Sequence, residues 1–408
     1  MAEDFVLAAQ LSTSHSAPDA LEKNRVLDVL RQALDVAPLD ILILGCEEMP
    51  DLYQALTAPE ADLADEIYLW YPLLSDYPGI HTDHLMLNHQ GTLSQGWGDF
   101  AASGEISETF RFACPNNPDA LKTTLSHLER LLRTYNFDGV FLDKFRFPSP
   151  ANGLQEMFSC FCGHCRRAAR ERGFNLDEVK EAIESLTEPV DPQACNITLP
   201  GAQWLEVLLA HRPAVQEFIR FRCDSITQTV IAVRALTDLL DKKLAFDVFS
   251  PSLAPLVGQD YARIARYGVW AKPMIYRFAK GPAGLRLEVP ALAGDLAQFL
   301  GCGVDKVVSW FQQHVPGLID TDLERIASEG VPLDLIADET RQAVKLMAPA
   351  PVYLGVETVS MPGIIDITPQ NVKEIVNTGC VAGARGVVLS WDIMHTPVDN
   401  LQPLEAVV

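Results

Sequence analysis

Residues 135–148 read Tyr-Asn-Phe-Asp-Gly-Val-Phe-Leu-Asp-Lys-Phe-Arg-Phe-Pro. An Asp-Gly turn signal precedes the apolar run 140–142, which is short enough for a buried strand. The run ends on Asp143, and alternating charged and aromatic residues follow. Parallel α/β barrels present catalytic carboxylates at the C-terminal ends of buried strands. The same acid is also compatible with a cap or with an ion pair to Lys144 or Arg146.

Strand-like and helix-like segments alternate on both sides of this stretch. The other predicted strands are Phe5–Gln10, Leu39–Leu44, Ile67–Tyr71, Leu244–Phe249, Val269–Tyr276, Val352–Val356 and Gly386–Trp391. Eight strand–helix alternations predict an α/β fold, a single (β/α)₈ barrel over residues 1–408 with enlarged loops after strands 3, 4 and 6. An open doubly wound sheet is less favoured because no glycine-rich phosphate loop follows an early strand. Residues 150–212 interrupt the alternation and are interpreted as a Cys-rich helical insertion at the top of the barrel.

Charge and composition narrow the classes of function. The chain has 54 acidic and 32 basic residues and a net charge of −22, which repels phosphate backbones and anionic membranes. Neither nucleic acid nor a membrane is therefore expected as a partner. The acidic N-terminus lacks the positive region of a signal peptide, so we expect a cytoplasmic protein. The oligomeric state, including a homo-oligomer, is left open.

Four acids fall at or near the predicted C-terminal ends of different strands. They are Asp143, Asp247, Glu357 and Asp392. A barrel gathers these ends around one axis, so the four carboxyl groups can converge. Glycoside hydrolysis needs two carboxyl groups, one to protonate the leaving oxygen and one to attack or to activate water. We therefore predict a catalytic cluster here.

Aromatic residues are predicted at the same end of the barrel, where they can stack on the apolar faces of sugar rings. They are Trp70, Tyr71, Tyr276, Trp310 and Trp391. A loop is predicted around Trp310 and His314. Lys272, which precedes a proline, is more typical of an ion pair with a carboxylate than of a Schiff-base lysine. The histidine-rich loop with His81, Asp83 and His84 lacks a helical metal-binding pattern and is interpreted as a surface or substrate-rim loop.

The cysteine cluster is the most specific motif in the sequence. Residues 160–165 read Cys-Phe-Cys-Gly-His-Cys, and three thiolates at this spacing can bind a tetrahedral zinc that needs a fourth ligand. Cys114, which follows the third strand, is a candidate for that ligand, and His164 and Cys195 are its competitors. A closed four-thiolate site would be structural and would hold the insertion to the barrel.

The order and spacing of these cysteines resemble the zinc site of glycoside hydrolase family 42 β-galactosidases. The resemblance implies a zinc ion bound by Cys114, Cys160, Cys162 and Cys165. It also implies a fourth-strand acid/base at Asp143 and a seventh-strand nucleophile at Glu357. The chain departs from that family on the fourth strand, where an Asn-Glu pair is replaced by Leu142-Asp143.

The fourth strand is also similar to uncharacterised glycosyl-hydrolase-like barrels, and to α-glucosidase and α-galactosidase barrels in which the aspartate at this place is the nucleophile. We predict a retaining O-glycosyl hydrolase acting on a carbohydrate, with Asp143 as acid/base and Glu357 as nucleophile. In the alternative, Asp143 is the nucleophile and another strand-end acid is the proton donor. Two hypotheses come from other functional classes. The barrel could be a non-catalytic carbohydrate-binding protein, or it could be a lyase or amidohydrolase that uses the histidine-rich loop. Substrate contacts are predicted for Asp247, Asp392, Trp391, Tyr276, Trp70 and Arg146.

Overall fold

Eight parallel strands form a ring in sequence order. The computed structural model describes residues 5–16, 20–97, 109–185, 201–209, 212–318, 321–361 and 365–406. The strands are β1 Val6–Ser12, β2 Ile41–Gly45, β3 Glu66–Pro72, β4 Gly139–Asp143, β5 Lys243–Phe249, β6 Ala271–Met274, β7 Tyr353–Glu357 and β8 Gly386–Ser390. β8 pairs with β1, and a single parallel bridge from Ala271 to Val352 joins β6 to β7. The predicted (β/α)₈ barrel is confirmed.

Helices pack around the strands and occupy much of the long connections after β4 and β6. They are α1 Lys23–Val36, α2 Pro50–Leu56, α3 Pro118–Thr134, α4 Leu154–Met157, α5 Gly163–Glu171, α6 Leu176–Glu184, α7 Gln203–Leu208, α8 Pro213–Leu239, α9 Tyr261–Ile264, α10 Leu285–Leu300, α11 Val304–His314, α12 Leu323–Glu329, α13 Leu333–Met347 and α14 Pro369–Val381. The start of α3 shows why they begin where they do. The Asn117 side chain accepts hydrogen bonds from two backbone amides of the first turn, and a proline occupies the first helical position, both of which favour a helix start.

Side chains at alternate positions of the strands point inward and fill the interior of the barrel. These residues include Ala8, Ile43, Tyr68, Phe141, Ala245, Trp270, Tyr353 and Val388. Successive side chains of a strand point to opposite faces. The residues two positions further along therefore also point inward, at the C-terminal end of the barrel. They are Gln10, Trp70, Asp143, Asp247, Lys272 and Ser390.

Two parts of the chain behave differently from the simple alternation. Helices α4 to α7 lie between β4 and α8, in the region predicted as an insertion. That this region forms a separate subdomain stays a prediction. Cys195 lies outside the described residues. The loop predicted around Trp310 and His314 is wrong, because both lie in α11. Val307 and Phe311 are buried one helical turn apart, and this apolar face stabilises the helix despite the neighbouring glutamines.

Within the described residues, no helix is long and apolar enough to cross a membrane.

Candidate active site

A cavity opens at the C-terminal end of the barrel, above the layer formed by Phe141 and Ala245. It holds about 660 Å³ of space, part of it open to solvent. Six residues that the sequence predicted for catalysis or substrate contact line it: Trp70, Asp143, Arg146, Asp247, Tyr276 and Trp391. The lining also contains His15, Phe110, Lys144 and Lys272, for which no substrate contact was predicted. The structure thus brings together residues from strands β3 to β6 and from the loops after β1, β3, β4, β6 and β8.

Asp143 ends β4 and is held at both carboxylate oxygens. The Trp70 indole N–H donates to Oδ2 at 2.9 Å, and the backbone N–H of Lys144 donates to Oδ1 at 2.5 Å. Lys144 has a left-handed backbone with φ of +50°, so the chain turns immediately after the carboxylate. Asp143 is 7% exposed. Its carboxylate is therefore fixed in orientation while it faces the cavity.

Asp247 lies beside Asp143 on the neighbouring strand. Leu142 pairs with Phe246 in the parallel register, so the two aspartates follow one step further along adjacent strands. The Lys272 ammonium donates to Asp247 Oδ2 at 2.9 Å, whereas Oδ1 has no hydrogen-bond partner among the described residues. Burial raises the pKa of Asp247 to about 7, against the lowering effect of Lys272. This carboxyl group therefore exchanges its proton near neutral pH, as a general acid requires.

Lys272 connects the two sides of the barrel interior. Besides Asp247, its ammonium donates to Gln10 Oε1 at 2.9 Å, and it lies 5.2 Å from the centre of the Tyr276 ring. The predicted ion pair of this lysine is confirmed. Although burial opposes the charge, Asp247 raises the pKa of Lys272 above its ordinary value. Gly355 leaves the space for this side chain, since a Cβ there would lie 2.8 Å from Lys272 Cε.

Aromatic rings form the walls of the cavity. The rings of Tyr276 and Trp391 lie 6.0 Å apart at 61°, and His15 lies edge-on to Trp70 at 6.1 Å. Apolar faces next to fixed carboxylates suit a polyhydroxylated ring, which stacks through its C–H face and donates from its hydroxyls. Tyr71 was predicted at the same place, but strand alternation directs it outward, where its hydroxyl donates to the backbone carbonyl of Thr124.

Two cations complete the rim. Arg146 is 2% exposed and lies between the rings of Phe112 and Phe249, at 4.5 and 4.7 Å. Burial lowers its pKa to about 10, so it remains a cation. The Lys144 ammonium donates to Asp76 Oδ2 at 2.8 Å, which ties the loop after β4 to the loop after β3.

Glu357 and Asp392 do not line the cavity. The Glu357 carboxylate accepts from the backbone amides of residues 277, 278 and 279, at 2.7, 2.9 and 2.6 Å. It thereby fixes the loop after β6, which includes the cavity residues 281–283. Asp392 Oδ1 accepts from the backbone amides of Ser12 and Met394. The catalytic role of Glu357 and the substrate contact of Asp392 stay predictions.

Four cysteines form a second, separate cluster. The sulfurs of Cys114, Cys160, Cys162 and Cys165 all lie within 4.8 Å of one another, and all four residues are buried. Cys114 Sγ is 3.4 Å from Cys165 Sγ, close to the edge of about 3.8 Å in a tetrahedron with zinc–sulfur bonds of about 2.3 Å. His164, a competitor for the fourth position, instead contacts Arg167. This cluster can hold a metal ion, and Cys114 is the fourth member of it.

A buried guanidinium without a hydrogen-bond partner is consistent with a negatively charged cysteine cluster. Arg222 on α8 is 0% exposed, and none of its three nitrogens has a hydrogen-bond partner among the described residues. The side chain lies over the rings of Phe147 and Phe218. Burial lowers the pKa of Arg222 to about 9, and the negative charge that Cys223, Cys160 and Cys165 carry as thiolates opposes this shift. An unpaired buried cation is costly, whereas four thiolates around a divalent ion carry two negative charges that would compensate it.

Comparisons with known proteins bear on the fold. No family model and no curated protein matches the sequence. The glycoside hydrolase domain of PgaB (BpsB) from Bordetella bronchiseptica superposes with a TM-score of 0.60 at 13% identity, over 98% of both chains. A β-galactosidase from the psychrophilic Marinomonas ef1 matches with a TM-score of 0.55 at 12% identity, over 99% of this chain and 59% of that one. An α-L-fucosidase isoenzyme from Paenibacillus thiaminolyticus gives 0.52 at 10% identity, over 99% of this chain and 49% of that one. These structural neighbours are glycoside hydrolases, and the likeness of this chain to them lies in the barrel fold.

Proposed function

We propose that this protein is a glycoside hydrolase that cleaves an O-glycosidic bond with two carboxyl groups. The observation that carries the proposal is the pair Asp143 and Asp247, on adjacent strands, in one cavity with aromatic walls. The glycoside hydrolases among the structural neighbours support the same reaction class through the shared barrel. The active-site acids of such a fold lie at strand C-termini, as these two do.

In the proposed reaction Asp247 is the proton donor and Asp143 is the nucleophile. The Asp143 carboxylate attacks the anomeric carbon while Asp247 gives its proton to the leaving glycosidic oxygen. Asp247 then removes a proton from water, which attacks the anomeric carbon and releases Asp143. The raised pKa of Asp247 supplies the protonated acid near neutral pH.

This proposal favours Asp143 over Glu357 as the nucleophile. Both oxygens of Glu357 are engaged by backbone amides outside the cavity, so an attack on substrate would require the loop after β6 to release them. We infer instead that Glu357 positions this loop.

We also propose that the four cysteines bind a structural zinc ion. Four thiolates close the tetrahedron, which leaves no open position for substrate or water. The zinc would supply no chemistry to the hydrolysis. Its ligands join the loop after β3, through Cys114, to the loop after β4, through residues 160–165.

Aryl glycosides differing in sugar and anomer test the function. Asp143→Asn and Asp247→Asn should each lower kcat/KM at least 1000-fold on the best substrate, with unchanged folding by circular dichroism. Asp28→Asn is the matched control, because its side chain is 68% exposed on α1. Full activity in either variant would overturn the assignment. Glycan binding without turnover of any glycoside would instead favour a carbohydrate-binding barrel.

A further inference from the structure

The cavity of the candidate active site differs in charge from the chain as a whole. The chain has a net charge of −22, yet more lysine and arginine side chains than carboxylates line this cavity. The cations are Lys144, Arg146 and Lys272, and the acids are Asp143 and Asp247. The positive groups are therefore concentrated at the place where a substrate would bind.

Arg146 is the cation of this set that lacks a carboxylate partner among the described residues. Lys272 and Lys144 each form an ion pair, at 2.9 and 2.8 Å, whereas Arg146 forms none within the described part of the chain. The charge of Glu288 opposes the lowering of the Arg146 pKa by burial. The oxygens of Glu288, however, accept from two backbone amides and from the Ser149 hydroxyl. A buried cation without a direct partner is costly, so an anion in the cavity would stabilise it.

The Arg146 guanidinium keeps one edge with two donors for such an anion. Its carbon lies 4.5 and 4.7 Å from the ring centres of Phe112 and Phe249, and Nη1 donates to the carbonyl of Phe147 at 3.0 Å. Nε and Nη2 make no hydrogen bond to the described residues, and unlike the nitrogens of Arg222 they are not sealed from solvent. The N–H groups of Nε and Nη2 are parallel, which suits bidentate binding of a carboxylate or a similar oxyanion.

We propose that this edge of Arg146 binds an oxyanion of the sugar, and that the substrate is a glycoside of an acidic sugar. The carboxylate of a uronic acid fits the two parallel donors, and a sulfate ester presents a similar pair of oxygens. Either charge would compensate the buried guanidinium, whereas a neutral hydroxyl would not. Arg146 and the proposed nucleophile Asp143 line the same cavity, so the acidic unit is bound where the bond is cleaved. This proposal rests on the proposed function and names its substrate class.

Aryl glycosides that differ only at C6 test the substrate class. Glucuronides and galacturonides of both anomers are compared with the corresponding neutral glycosides, and 6-sulfated glycosides distinguish a sulfate from a carboxylate. In the active series, kcat/KM of the wild-type protein should be at least 10-fold higher on the acidic substrate than on the neutral one. Arg146→Met should lose about 10- to 100-fold on the acidic substrate, the range of hydrogen bonds to a charged group, and less than about 3-fold on the neutral one.

Two further variants serve as comparisons. Arg146→Lys keeps the charge but loses the parallel donors, so its kcat/KM on the acidic substrate should lie between those of wild type and Arg146→Met. Arg133→Met is the control, because the Arg133 side chain is 57% exposed on α3 and its replacement should change neither substrate. Thermal unfolding checks that each variant is folded, and Arg146→Lys supplies the comparison if Arg146→Met is not.

A binding measurement separates this proposal from the proposed function. Glucuronic acid, galacturonic acid, the 6-sulfated sugars and their neutral counterparts are titrated calorimetrically into Asp143→Asn and into double variants that also carry a substitution of Arg146. Binding of an acidic sugar that depends on Arg146 supports the site even if no glycoside is hydrolysed. Equal affinity for acidic and neutral sugars, equal losses on both in the Arg146 variants, or no binding of any of these sugars would overturn it.

Discussion

Replacing Arg222 by methionine tests whether the cysteine cluster carries a metal and a negative charge. In the zinc-loaded protein this guanidinium would be the buried partner of a four-thiolate centre. Removing one member of a buried charge pair costs about 3–5 kcal/mol, because the other charge stays buried. In the zinc-free protein with neutral thiols the guanidinium would have no anion, and its replacement by an apolar side chain would remove a desolvation cost. The sign of the effect therefore depends on the metal.

The expected shift in the melting temperature follows from the size of the chain. An unfolding entropy of about 2.1 cal/mol/K per residue gives about 0.9 kcal/mol/K for 408 residues. A loss of 3–5 kcal/mol then lowers Tm by about 4–6 °C. In the zinc-stripped protein Arg222→Met should leave Tm unchanged or raise it.

The assay combines thermal unfolding, with and without a chelator, and zinc content by elemental analysis. Arg222→Met should also release zinc to the chelator faster than wild type, because the thiolates lose their counter-charge. Arg222→Lys keeps the charge, so its Tm and its rate of zinc release should lie between those of wild type and Arg222→Met. Arg31→Met is the control, because the Arg31 side chain is 66% exposed on α1 and its replacement should change neither quantity. An equal shift in loaded and stripped protein would refute the reasoning, since a packing defect does not depend on the metal.

Four further predictions concern the two sites. Cys162→Ser should abolish stoichiometric zinc and lower Tm, whereas Cys46→Ser, outside the cluster, should retain the metal; zinc at full occupancy in Cys162→Ser would count against the site. The kcat/KM profile should fall about tenfold per pH unit above about pH 7, because the raised pKa keeps Asp247 protonated only below it; a flat profile to pH 9 would remove Asp247 as the acid. Glu357→Gln should raise KM more than it lowers kcat, because the loop after β6 loosens; a 1000-fold loss in kcat at constant KM would restore Glu357 as nucleophile. Gly355→Ala should destabilise the fold by about 1–3 kcal/mol through its contact with Lys272, as measured by denaturant unfolding.

The sequence was sufficient for the barrel and for the central acids because both follow from strand periodicity. Asp143 ends an apolar run, and the parallel register places Asp247 next to it. The side-chain period of two then turns both toward the interior. The ion pair of Lys272 was predictable for a related reason, since a buried lysine needs a carboxylate.

Other features depend on contacts that no local pattern encodes. Glu357 also ends a strand, but its carboxylate is captured by amides about 80 positions earlier in the chain. Arg222 stands within the long helix α8, where an isolated arginine resembles a surface residue. Tyr77 follows β3 within a polar loop, and it is buried in an apolar cluster with Ala113 and with Ala120 of α3. In each case the environment comes from loops that meet only in the folded barrel.

Those same loops connect the cysteine cluster to the cavity. Cys114 ends the segment that carries Phe110, and Cys160 ends the connection that starts at Lys144. The backbone N–H of Phe161 donates to the carbonyl of Leu87, which fixes the two loops to each other beside the metal ligands. The carboxylates, in contrast, are held by strands β4 and β5. Metal binding would therefore act on the loops that form the walls of the cavity, while the proposed catalytic pair keeps its place in the barrel.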